Sequence, residues 1–69
     1  MNINTAKFVL DIIGGKSLTL DEIMKIGKNN GYTRDQINET IELLLDNGYI
    51  YEPISGHFRK NRDLEGDEK

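Results

Sequence analysis

The chain has 69 residues, no cysteine, a single histidine and a formal charge of −3. A chain so short makes one domain and buries only about 60% of its unfolded surface, with no disulfide or thiolate metal site to help hold it. His57 alone builds neither a metal site nor a catalytic base, no Gly-rich Lys-Ser/Thr phosphate loop is present, and no apolar run approaches the ~20 residues of a membrane helix.

With no signal peptide at its start, the chain is expected to be soluble, cytoplasmic, non-catalytic, and without cofactor or metal. Charge bears more directly on function. Through Lys60 the sequence carries seven Lys and Arg against eight Asp and Glu, and residues 61–69 carry two against four. Non-specific DNA binding rests on cations that neutralise phosphates. A body so near neutrality binds DNA only if its charges are sorted by face.

Residues 4–13 read as the first helix, with Ala6, Val9, Leu10 and Ile13 at helical spacing and Phe8 and Ile12 widening the stripe. Asn4 is its expected N-cap, and Gly14-Gly15 end it. Lys16-Ser17-Leu18-Thr19 is a short extended stretch suited to pair with a later hairpin. Thr19 and Glu22 then form a capping box, with Leu18 placed to staple onto Ile23. This second helix turns Leu20, Ile23, Met24 and Gly27 inward and stops at Asn30-Gly31.

The same grammar returns as Tyr32-Thr33, Gln36 and Ile37, opening a third helix with Ile37, Ile41, Leu44 and Leu45 inward and Asn47-Gly48 as its stop. So short a link between the second and third helices forces them to cross. Tyr49-Ile50-Tyr51-Glu52 is β-prone, residues 53–56 turn, and His57-Phe58-Arg59-Lys60 return. The expected fold is α+β, mostly α: a winged helix-turn-helix of three helices, a short strand and a C-terminal β-hairpin wing over residues 1–60. Residues 61–69 are expected to be a disordered acidic tail.

The hairpin carries a resemblance. Gly48, Ile50, Tyr51, Glu52-Pro53, Gly56, Phe58 and Arg59-Lys60 resemble the C-terminal winged-helix domain of archaeal minichromosome maintenance (MCM) helicases. Ile54-Ser55 stands where that family often has a basic residue and a second proline, which leaves the wing tip less charged. The resemblance implies a nucleoid-associated accessory module of an ATP-dependent replicative helicase whose ATPase would lie upstream. It further implies weak contact with DNA and contact with the ATPase core or with replication initiator proteins. The isolated domain would be a monomer and the parent a hexamer.

Two surfaces are candidates. On the wing, His57, Arg59, Lys60 and Arg62 with Tyr51 interleave basic groups and an aromatic, a combination that holds phosphates and stacks bases. The bland alternative is that the aromatics cover the core while the charges keep an edge strand soluble. Strand alternation is expected to leave only one of Tyr49 and Tyr51 free to stack. On the third helix, Arg34 and Asn38, with Gln36, are the groups able to read bases. They share the outer face with Asp35, Glu39, Glu42 and Asp46, a composition that suits solvent or a basic protein partner better than a phosphate-lined groove. Lys16, Lys25 and Lys28 read as a scattered, solvated trio. The alternatives to the helicase module are a stand-alone transcription regulator, whose third helix would read a duplex as a dimer, and a pure protein-interaction module.

Overall fold

The two capping boxes organise the middle of the molecule. In the computed structural model, which describes residues 3–61, Thr19 Oγ1 accepts from Glu22 N and Thr33 Oγ1 from Gln36 N, each at 3.1 Å. The return bonds, Thr19 N to Glu22 Oε1 and Thr33 N to Gln36 Oε1, are each 2.8 Å. They open α2 (Leu20–Asn29) and α3 (Arg34–Asp46).

Both helices also end alike. Tyr32 N donates to Gly27 O at 3.0 Å and Tyr49 N to Leu44 O at 2.9 Å, closing the last turn over Gly31 (φ +89°) and Gly48 (φ +77°). Only glycine takes that backbone without a Cβ clash, so Asn-Gly-Tyr serves twice as a Schellman stop. Asn30 and Asn47 reinforce it, each donating its side-chain amide at 2.8 Å to the carbonyl four residues back.

The first helix, α1 (Ile3–Ile13), contains Asn4 rather than starting at it, so the expected N-cap is not one. Thr5 and Ala6 are buried beside Val9 and Ile13, and this packing holds the first turn in the helix. β1 (Leu18–Thr19), β2 (Ile50–Ile54) and β3 (His57–Lys60) form an antiparallel sheet in the order β1-β3-β2. Leu18 lies opposite Phe58, Thr19 opposite His57, Ile50 opposite Lys60 and Tyr51 opposite Arg59.

The expected turn over residues 53–56 is shorter than read. β2 runs on through Pro53 and Ile54, which leaves Ser55-Gly56 as the loop, and Glu52 and Pro53 face the single residue Phe58 across a register shift. Proline has no N–H for a ladder, and a bulge on an edge strand is where that lack costs least.

The described residues therefore form three helices and a three-stranded antiparallel sheet, and are mostly helical. Its core joins Val9 and Ile13 from α1, Ile23 from α2, Ile37, Ile41 and Leu44 from α3, and Leu18, Ile50 and Phe58 from the sheet. Leu45, expected inside, is half-buried, while Thr40 takes an inward place with its hydroxyl satisfied by Gln36 O at 2.8 Å. Gly27 is buried where α2 meets α3: a Cβ there would lie 2.9 Å from Ile37 Cγ1 and Cδ1. No helix among the described residues is long and apolar enough to cross a membrane.

Candidate nucleic-acid interface

The sheet's pairing decides which hairpin side chains share a face. Leu18, Ile50 and Phe58 are buried, so residues alternating with them face outward. The outer face consists of Thr19, His57 and Ile54 in one row and Arg59 and Tyr51 in the next. Ile54 is 66% exposed and Tyr51 42%. Lys60 shares β3 with Arg59 but alternates to the core side with Phe58, opposite Ile50, where it is half-buried at the rim. The basic cluster read from the sequence is thereby divided: His57 and Arg59 lie on the outer face with Tyr51, and Lys60 does not join them.

Arg62 lies outside the described residues, as do the other tail positions beyond Asn61. Asn61 itself belongs to the hairpin rather than to a disordered tail, since its N–H donates to Tyr49 O at 2.9 Å.

The expectation that only one of Tyr49 and Tyr51 is free does not hold. Both are 42% exposed, because residues two apart share a side and it is Ile50 between them that turns inward.

Three bonds fix this surface. Glu52 Oε2 accepts from Gly56 N at 2.6 Å, bracing the loop across the bulge. Gly56 O accepts from Leu20 N at 3.0 Å, so the hairpin tip satisfies an otherwise orphaned donor in the first turn of α2. Arg59 Nη2 donates to Gly15 O at 3.4 Å, a long bond that steadies the guanidinium against the loop between α1 and β1. Its remaining N–H groups stay available to an anion. The Glu-Pro pair thus shapes the hairpin: Pro53 sits in the bulge and Glu52 makes the turn contact.

On α3 the expected outward set is exposed: Arg34, Asp35, Asn38, Glu39, Glu42 and Asp46. Gln36 is exposed too, but its side-chain oxygen is committed to the capping box. One cation stands among four carboxylates along a helix of 13 residues, about 20 Å long. Arg34 and Asn38 occupy its N-terminal half, whereas β2 follows its C-terminus, so they do not extend the hairpin surface.

Arg34 has other company. It lines a cleft of about 430 Å³ with Met24, Lys25, Lys28, Tyr32 and Thr33. The sequence groups Lys25 and Lys28 with Lys16, and only the packing of α2 against α3 shows that Arg34 is their partner. The available signal was the i, i+3 spacing of the lysines on one helix face together with an Arg at the first position of the next helix. Ile54 was missed as well, because it was placed inside a turn. Compared with models of known protein families and with curated proteins, the chain matches none.

Proposed function

We propose that this chain is a winged helix-turn-helix domain acting as an accessory module of an archaeal-type MCM replicative helicase. It touches DNA weakly through the outer face of its hairpin, and protein through the acidic face of α3. The reading draws on the hairpin residues that resemble that family, from Gly48 to Lys60. The element order and the β1-β3-β2 sheet suit a wing packed behind two crossed helices.

The single observation that carries the division of labour is the sorting of side chains between two elements. The outer sheet face pairs Tyr51 with Arg59 and His57 with Ile54, while α3 exposes Asp35, Glu39, Glu42 and Asp46. Arg59 and His57 attract phosphates, and the exposed tyrosines offer rings to unpaired bases. An acidic helix is repelled from a groove lined by phosphates, which weighs against the regulator whose α3 reads a duplex. The same acidic face suits a basic patch on the ATPase core or an initiator protein. The hairpin tip is a two-residue loop tied back to α2, so contact runs through the sheet face rather than through a tip inserted in a groove.

The test is a residue-resolved NMR titration of the full chain with duplex and with forked DNA, at low and then moderate salt. Shifts confined to Tyr49, Tyr51, Ile54, His57 and Arg59, larger with the fork and fading with salt, are the expected result. Shifts centred on Arg34 and Asn38 would replace the reading with the regulator. No shift even at low salt would leave protein contact alone. A parallel titration with an archaeal MCM ATPase core should move Asp35, Glu39, Glu42 and Asp46, and silence there would overturn the helicase assignment.

A further inference from the structure

The cleft between α2 and the start of α3 lies apart from both surfaces just described, and its composition is unlike either. Its lining holds three cations, Lys25, Lys28 and Arg34, and no carboxylate. Its floor includes Met24 and Tyr32, both half-buried. Among the described residues none of the three cations forms an ion pair, so the rim is electrostatically unspent. The chain as a whole is acidic, at −3. Three cations gathered around one cleft, with no carboxylate in its lining, therefore stand out against the acidic character of the whole.

We infer that this cleft is a docking site for an acidic peptide segment of a partner protein, one that carries an apolar side chain flanked by carboxylates. The apolar side chain seats on Met24 and Tyr32, and the carboxylates meet Lys25, Lys28 and Arg34. Met24 suits that role because its unbranched thioether side chain adapts to the shape of an aliphatic or aromatic group. Tyr32 gives the floor rigidity, for its ring packs on Phe8 of α1 at a centroid distance of 4.6 Å and an angle of 31°. The first turn of α3 adds the positive end of its dipole at Thr33 and Arg34, in the same sense as the cations.

The volume and the lining favour a peptide over nucleic acid. A concave space of about 430 Å³ takes a few side chains but not the rounded backbone of a duplex. Tyr32, half-buried with one face against Phe8, offers a single ring face, whereas single strands are held by stacking successive bases on several rings. The acids of α3 begin at Asp35, outside the lining, so a carboxylate at the rim meets the cations first.

The probe is a fluorescent synthetic dodecapeptide of Ser, Gly, Asp and Glu with one central leucine, titrated into the full chain while amide and methionine methyl signals are followed. The expected result is a saturable shift of the Met24 methyl group and of the Lys25, Lys28, Tyr32 and Arg34 amides. Lys25→Ala with Lys28→Ala should weaken binding about tenfold, as expected for the loss of two partly exposed ion pairs, with the melting midpoint little changed. A peptide with serine in place of its leucine should bind several-fold more weakly.

Equal binding of the serine peptide would reduce the effect to diffuse charge and overturn the inference. So would stronger shifts of these residues with a twelve-nucleotide oligo(dT), which would make the cleft a nucleic-acid site. Shifts at the same residues on concentrating the protein alone would assign the cleft to a second copy of the chain. No shift at millimolar peptide would remove the site. The hairpin residues serve as the internal control, since the proposed DNA contact does not involve this cleft.

Discussion

The helical corner and the hairpin are held together by different kinds of bond. α2 and α3 are closed at both ends by partners three to five residues away, such as Thr33 with Gln36 and Tyr49 with Leu44. The hairpin is braced in part by distant segments: Leu20 N to Gly56 O, and Arg59 to Gly15, 44 residues away in sequence. Local bonds close with little loop entropy, whereas distant ones form only once the core has brought their segments together. The corner is therefore a locally specified frame, and the hairpin is a surface whose shape follows from assembly.

The most severe way to break the contrast is to empty the core beneath both regions. Leu44, fully buried, belongs to α3 and to the cluster that seats the sheet. Leu44→Ala should destabilise by about 2–5 kcal/mol in chemical denaturation, and an unmoved midpoint would mean that the two regions do not share this core. Gly27→Ala comes next. Its methyl would press on the buried Ile37 side chain at 2.9 Å, so overpacking of about 1–3 kcal/mol should outweigh the ~1 kcal/mol gained in helix propensity. A stabilised variant would show that Ile37 yields and that the crossing is looser than described.

Removing a cap sharpens the difference between local and distant support. Thr33→Ala and Thr19→Ala should each cost about 1 kcal/mol, read as a shift in melting midpoint. Hydrogen exchange separates them. The Thr33 change should speed exchange only in the first turn of α3, whereas Thr19 also pairs with His57, so its loss should reach β3. Matching exchange patterns would erase the distinction.

Glu52→Ala should cost about 0.5–1 kcal/mol, the worth of an ordinary exposed hydrogen bond. Its clearest sign would be faster exchange at the Gly56 amide, and an unchanged rate there would show that the loop holds without the brace. The smallest effect expected concerns binding. Arg59→Ala should lower the slope of log affinity against log salt by about 1 for any DNA bound, while Lys60→Ala, on the opposite side of β3, should change it less. Equal effects would rejoin the two cations in a single surface.

How much of this could be read in advance follows the same division. Thr19 with Glu22, Thr33 with Gln36, and the Asn-Gly stops were legible because each signal and its partner lie within one or two helical turns. Asn4 misled because α1 already includes Ile3, which places Asn4 inside the first turn rather than ahead of it. Pro53 misled because its usual place in a turn gave way to a bulge on an edge strand, a choice that depends on which strand sits in the middle of the sheet.

By itself the amino-acid sequence determined the number and order of helices, the starts and stops of α2 and α3, and the acidic outer face of α3, since periodicity and capping act over a few residues. Only the tertiary structure decided that Arg59 rather than Lys60 takes the outer side of the sheet, that Ile54 joins Tyr51 there, and that Lys25, Lys28 and Arg34 meet around one cleft. Those outcomes depend on register and on the crossing of helices. Both are set by which apolar faces bury one another, a relation between residues far apart in the chain.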